Sequence, residues 1–299
     1  MYKRQILKIT GIILLIFSLF ILIPISAAFF YGESIDNFLQ SFLIIFFVGL
    51  VAYFPNKKER SQIKIREGFL IVAIFWFVLS FFGAIPFLMD ESLKFSLVDA
   101  VFESASGWTT TGATVVSNID NLNKPLLLYR QLLQWLGGIG IVVLVLAILP
   151  ILGVGGMYLY KAETSSPVKD NKLSPRITET AKSLWGVYIV LTIACAVLYK
   201  IAGMSYFDAI GHSFSTVSIG GFSTHDASIG FYSSDLIKII CMVFMFLSAL
   251  NFVLHFLFYK NKSLTVYTSN SEMKSLILII IILLLLAAIF STGGRIQSI

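Results

Sequence analysis

Two short runs of hydroxyl and glycine residues carry the chemistry: Thr109-Thr110-Thr111-Gly112-Ala113 and Ser218-Ile219-Gly220-Gly221-Phe222. Such runs offer backbone oxygen. Glycine admits φ values that other residues avoid, so successive carbonyls can turn to one side. Rings of carbonyls from Thr/Gly-rich loops replace the hydration shell of an alkali cation. The predicted chemistry is cation coordination, with Thr110, Thr111, Gly112 and Ala113 in the first run and Ile219, Gly220, Gly221 and Phe222 in the second. Thr109 and Ser218 open the runs as support.

The two runs sit in segments that superpose without a gap at an offset of 109 residues, with six identities across the 19 positions 96–114. Each segment opens with Ser-x-x-Asp (Ser96 and Asp99, Ser205 and Asp208), a helix-start signature with an acid near the positive end. About three helical turns follow before each run. Glu103 and His212 fall at matching places on these two short helices. They read either as polar ties that position the loops, or as solvated outer groups. His225 and Asp226 follow the second run and read as a buttress for it. Ser213, His225 and Asp226 could be drawn as a hydrolytic set, but nothing resembles a nucleophile elbow. Three histidines spaced 13 and 30 apart give no zinc pattern.

The elements that must hold these loops are membrane helices. The chain has 299 residues, 57% of them hydrophobic and 13% charged, whereas a soluble domain is about 25% charged. That excludes a cytosolic enzyme, a disordered chain and a small secreted module, and makes the net charge of +6 a poor argument for nucleic acid. A bilayer core takes about 20 apolar residues as helix. Stretches 9–30, 38–54, 69–87, 126–152, 184–201, 236–259 and 276–290 approach that, and the first reads as an uncleaved span. With the N-terminus inside, 16 of the 22 Lys and Arg face inward, which the positive-inside rule favours. The acids lean outward, which would concentrate cations at the outer face. The predicted fold is an all-α membrane protein with seven transmembrane helices and two re-entrant pore loops. Non-helical backbone at membrane depth is tolerated only where it is buried in protein or lines a water-filled path. Cys195 and Cys241 lie in apolar runs and read as packing. His255, one turn after Asn251, reads as a helix–helix hydrogen bond or as part of an inner cavity. Gly137, Gly138 and Gly140, and Gly153, Gly155 and Gly156, read as close helix packing.

Residues 128–140 (Leu-Tyr-Arg-Gln-Leu-Leu-Gln-Trp-Leu-Gly-Gly-Ile-Gly), 160–164 and 218–226 resemble the TrkH family of bacterial potassium uptake proteins, within the wider Trk/Ktr/HKT superfamily. The resemblance runs through nearly all of the chain. It implies potassium-channel-like units of helix, pore half-helix with filter loop, and helix. Two extra N-terminal helices would occupy 1–66, the first unit 67–157, the second 158–262, and the start of a third 263–299. Gly112 and Gly221 would be the filter glycines, and K+ would meet the backbone of Thr111, Gly112, Gly220 and Gly221. In the superfamily glycine at these places goes with potassium, and serine in the first loop with sodium-selective relatives.

The resemblance further implies potassium uptake across the inner membrane, a homodimer, and docking of a TrkA-like cytosolic nucleotide-binding regulatory subunit, for which 158–183 is a candidate contact. No cofactor and no enzymatic activity are expected. Family members carry two more units, so two loops alone would not ring an ion. The expectation is a fragment or shortened product. The alternative is a non-conducting subunit that needs another chain to complete the pore.

Overall fold

The computed structural model describes residues 2–59, 65–138, 140 and 174–296. Among them the chain is helical, without strands. It divides into two compact units, Met1–Ala249 and Leu250–Ile299.

The first unit begins with α1 (Tyr2–Tyr31) and α2 (Asp36–Tyr53), packed against each other. Ile9, Ile13, Phe17 and Ile21 recur every fourth residue on α1, so they share one helix face. That face is fully buried. On α2 the same spacing places Leu39, Leu43, Phe47 and Val51 on an exposed face, as suits a helix whose solvent is lipid.

Next come α3 (Ile65–Gly83), the short α4 (Ile85–Met89), α5 (Leu97–Trp108) and α6 (Lys124–Gly138). A parallel series follows: α7 (Ser174–Ile201), α8 (Tyr206–Val217) and α9 (Asp235–Ala249). The short helix α5 packs against α3 and α6, and α8 packs against α7 and α9. Helix α6 also touches α8, so it stands between the two short helices. Both are 12 residues long, too short to span a bilayer.

The second unit holds α10 (Phe252–Asn261), α11 (Thr265–Thr268) and α12 (Ser271–Ile296). Within it His255 Nδ1 lies 2.8 Å from the Tyr267 hydroxyl, and the Asn251 amide donates to Glu272 at 3.2 Å. His255 thus makes an inter-helix contact of the kind expected.

Five helices among the described residues are long and apolar enough to cross a membrane, or six if one broken pair counts as a span. The difference from the seven predicted has two sources. Stretch 236–259 is not one helix: α9 stops at Ala249 and α10 starts at Phe252. Asn251 takes a non-helical conformation (φ −56°, ψ 118°) between them, and its side chain accepts from the Val253 amide at 3.1 Å. An Asn in that role starts a new helix rather than continuing the old one. Stretch 126–152 is described only through α6 and Gly140, which has φ +70° and donates to the Gly137 carbonyl. Gly153, Gly155, Gly156, residues 160–164 and most of 158–183 lie outside the described residues.

Candidate functional site

Each short helix begins in the same way. The Ser96 hydroxyl accepts from the Asp99 amide at 3.2 Å, and the Asp99 carboxylate accepts from the Ser96 amide at 3.1 Å, closing a capping box. Ser205 accepts from the Asp208 amide at 3.0 Å. These caps satisfy amides that a helix start leaves unpaired. The carboxylates sit at the positive helix ends.

The two helices also end in the same way. The Thr111 amide donates to the Ser106 carbonyl at 3.0 Å, and the Gly220 amide to the Ser215 carbonyl at 2.8 Å. The Thr110 amide donates to Gly107, and the Ile219 amide to Thr216. Each is a helix cap built around one left-handed residue. That residue is usually glycine, but here it is Thr110 (φ +53°) and Ile219 (φ +56°). A β-branched side chain in this region is strained. Two residues later Gly112 (φ +75°) and Gly221 (φ +86°) are left-handed as well. The 109-residue offset therefore holds for backbone conformation and hydrogen bonding as well as for residue type.

The loops meet. A Cβ on Gly112 would fall 2.1 Å from the Gly220 carbonyl oxygen and 3.6 Å from Gly221 Cα, so only glycine fits there. Thr109, Thr111 and Ala113 are exposed in the first loop, Ile219 and Gly221 in the second, while Gly220 and Phe222 are buried. The Thr109 and Thr111 hydroxyls lie 2.7 Å apart, and Thr109 also donates to the Ala105 carbonyl. Ser218 donates back to Ser215. Two carbonyls expected on the ion path accept hydrogen bonds from side chains: Ala113 from the Ser106 hydroxyl, and Gly220 from the Gln134 amide at 2.7 Å. A carbonyl keeps a second lone pair when one is used.

Glu103 and His212 are buried, not solvated. Each reaches the hydroxyl eleven residues further on in its own segment. Glu103 accepts from the Thr114 hydroxyl at 3.0 Å, and His212 Nε2 lies 2.9 Å from the Ser223 hydroxyl. Glu103 also accepts from the Val115 amide. His225 and Asp226 face the first segment instead. His225 Nδ1 lies 2.6 Å from Asp120, and Asp226 accepts from the Ile119 amide at 3.0 Å. The His225 ring stacks on Phe231 at 3.6 Å. The hydrogen bond from His225 holds the exposed Asp120 carboxyl below the usual value of 3.8.

Helix α6 brings three residues to the site: Arg130 and Gln134, to which the sequence reading assigns no role, and Gly137, which it reads as close helix packing. Arg130 is fully buried and pairs with Glu103 at 2.8 Å. Gln134, also fully buried, donates to the Gly220 carbonyl and accepts from the Phe222 amide at 3.0 Å. Gly137 lets the helix in, since a Cβ there would lie 2.0 Å from the Trp108 carbonyl oxygen. For Arg130 the sequence carries one general signal, an ionisable residue beside an apolar stretch, but not its partners.

The sequence profile of the TrkH family, described as cation transport protein, matches residues 34–290. This chain belongs to the TrkH family. It is 51% identical over 279 residues to the Trk system potassium uptake protein TrkH of Halomonas elongata. It is 50% identical over 278 residues to the protein of that name from Escherichia coli K12. Each alignment covers 93% of this chain and 58% of the relative. The crystal structure of the potassium transporter TrkH from Vibrio parahaemolyticus superposes with a TM-score of 0.83 at 45% identity. That match covers 96% of this chain and 58% of the other. The chain thus spans a little under three fifths of the TrkH relatives it matches. The TrkH family is one of transporters rather than a class of enzymes, and the apolar helices among the described residues fit a multi-pass membrane protein.

Proposed function

We propose that this chain supplies two filter loops of a potassium uptake pore in the bacterial inner membrane. The carrying observation is the paired backbone: two loops with matched left-handed residues that touch at Gly112 and Gly220. Two N-terminal helices in 1–66, two helices from each of units 67–157 and 158–262, and the start of a third unit in 263–299 make up seven spans, and each of the two units adds one pore half-helix with its filter loop. K+ sheds its water at the outer mouth and exchanges it for carbonyls of Thr110, Thr111, Gly112 and Ala113 and of Ile219, Gly220, Gly221 and Phe222. Strain at Thr110 and Ile219 and the buried Glu103, His212, Arg130 and Gln134 hold those oxygens in place, so little reorganisation is needed when the ion arrives. No covalent chemistry is involved. The N-terminus is cytoplasmic, as the distribution of Lys and Arg favours. The relatives' names place them in a Trk system, which supports a multi-component assembly: a second copy of the chain and a TrkA-like regulatory subunit at the inner face.

The test is Gly112→Ser in the encoding gene, carried by cells that lack other potassium uptake. Growth at low potassium and the preference for potassium over sodium are both expected to fall. If both stay unchanged while the protein reaches the membrane, the filter assignment is wrong.

A further inference from the structure

We infer that Arg130 is a specificity-determining positioning residue: a buried guanidinium that fixes the spacing between the two loops and so the preference for potassium over sodium. The inference rests on the filter reading above and adds to it a residue outside both loops.

The geometry is a three-way brace. Arg130 Nε donates to Glu103 on α5 at 2.8 Å. Nη2 donates to the Thr114 hydroxyl, just past the first loop, at 2.9 Å. Nη1 donates to the Ser223 carbonyl, just past the second loop, at 3.3 Å. Thr114 and Ser223 are equivalent positions under the 109-residue offset. One side chain therefore ties the same point of both repeats to a single plane. The guanidinium carbon lies over the Phe222 ring, 4.4 Å from its centre, and Phe222 belongs to the second loop itself. One turn further along α6, Gln134 holds the Gly220 carbonyl and the Phe222 amide.

The choice of arginine matters. Its planar fork presents donors in fixed directions, whereas lysine offers a single point charge on a flexible stem. Neither Arg130 nor Glu103 is exposed, so water does not substitute for a lost contact. The loops touch through backbone at Gly112 and Gly220, so a shift in one displaces oxygens of the other. Both accounts of filter selectivity, cavity size and the number of coordinating dipoles, need those oxygens held.

The experiment compares Arg130→Lys with the paired variant Glu103→Gln/Arg130→Gln, each made in the encoding gene and expressed in cells lacking other potassium uptake. The paired variant removes both charges together and so avoids leaving one buried and unpaired. Rubidium uptake is measured against competing sodium, with KM and maximal rate separated and membrane abundance determined by immunoblot. At equal abundance, potassium preference is expected to fall on the order of tenfold in both variants, the effect of losing one hydrogen bond to a charged group. Wild-type selectivity in the paired variant, or full rescue by lysine, overturns the inference. Gly112→Ser separates the two readings. If it lowers selectivity and the Arg130 variants do not, only the brace fails. If it too leaves selectivity unchanged, the filter assignment fails.

Discussion

Arg130 and Glu103 meet at 2.8 Å with neither side chain exposed, so the pair has no water to fall back on. Breaking such a pair from one side leaves a buried charge uncompensated, which costs about 3–5 kcal/mol. Glu103→Ala is therefore expected to lower the melting temperature of the purified protein in detergent much further than the paired glutamine variant does. Thermal melts of the three proteins side by side check this.

Gly137 faces the end of α5, where a methyl group would meet the Trp108 carbonyl oxygen at 2.0 Å. Backbone cannot swing aside as a flexible side chain can. Gly137→Ala is expected to destabilise by about 1–3 kcal/mol or more, as overpacking does. Gly186 on α7 has nothing within 4 Å of the same hypothetical methyl. Gly186→Ala is expected to stabilise by up to about 1 kcal/mol, the ordinary helix preference for alanine. The two changes are chemically identical, so opposite shifts in melting temperature isolate the packing.

Ile219 occupies the left-handed place where a helix cap normally has glycine. Ile219→Gly relieves strain of about 1–3 kcal/mol. It is expected to raise the melting temperature while loosening the loop, read as faster hydrogen exchange over 218–223. A lower melting temperature with unchanged exchange contradicts the strain reading.

Asp120 and His225 tie the two outer segments together at 2.6 Å. The hydrogen bond from His225 lowers the Asp120 pKa below 3.8, against the opposing effect of burial. A carboxyl lowered on folding contributes stability that is present above its unfolded value and lost as the pH falls through its folded value. The tie is thus expected to open as the pH falls below 3.8. His225→Ala removes the tie and is expected to raise the Asp120 pKa toward the ordinary carboxylate value and to leave 116–123 open at all pH values. Hydrogen exchange at 116–123 as a function of pH measures both.

Much of the site was legible in the sequence because it is repeated. Ser96 and Ser205, Asp99 and Asp208, and Gly112 and Gly221 match in type, and the backbone follows the match. The lone features were harder to read. Arg130 reads as one more basic residue near a helix end until its three partners, up to 93 positions away, are seen around it. Asn251 reads as part of an apolar span, because a cap signal inside a hydrophobic run is outweighed by the run. At the break between α9 and α10 that side chain turns back on the Val253 amide, which periodicity does not report.

Gly137 and Gly138 are neighbours on α6, yet they abut different helices: Gly137 the end of α5 at Trp108, Gly138 the end of α8 at Ser218. Successive helical residues point about 100° apart, so one rod bears on both abutments at once. It works as a keystone does between two arch stones. A twist or slide of α6 would press on both helix ends at once, so under the pore reading proposed above the two filter loops share one mechanical reference.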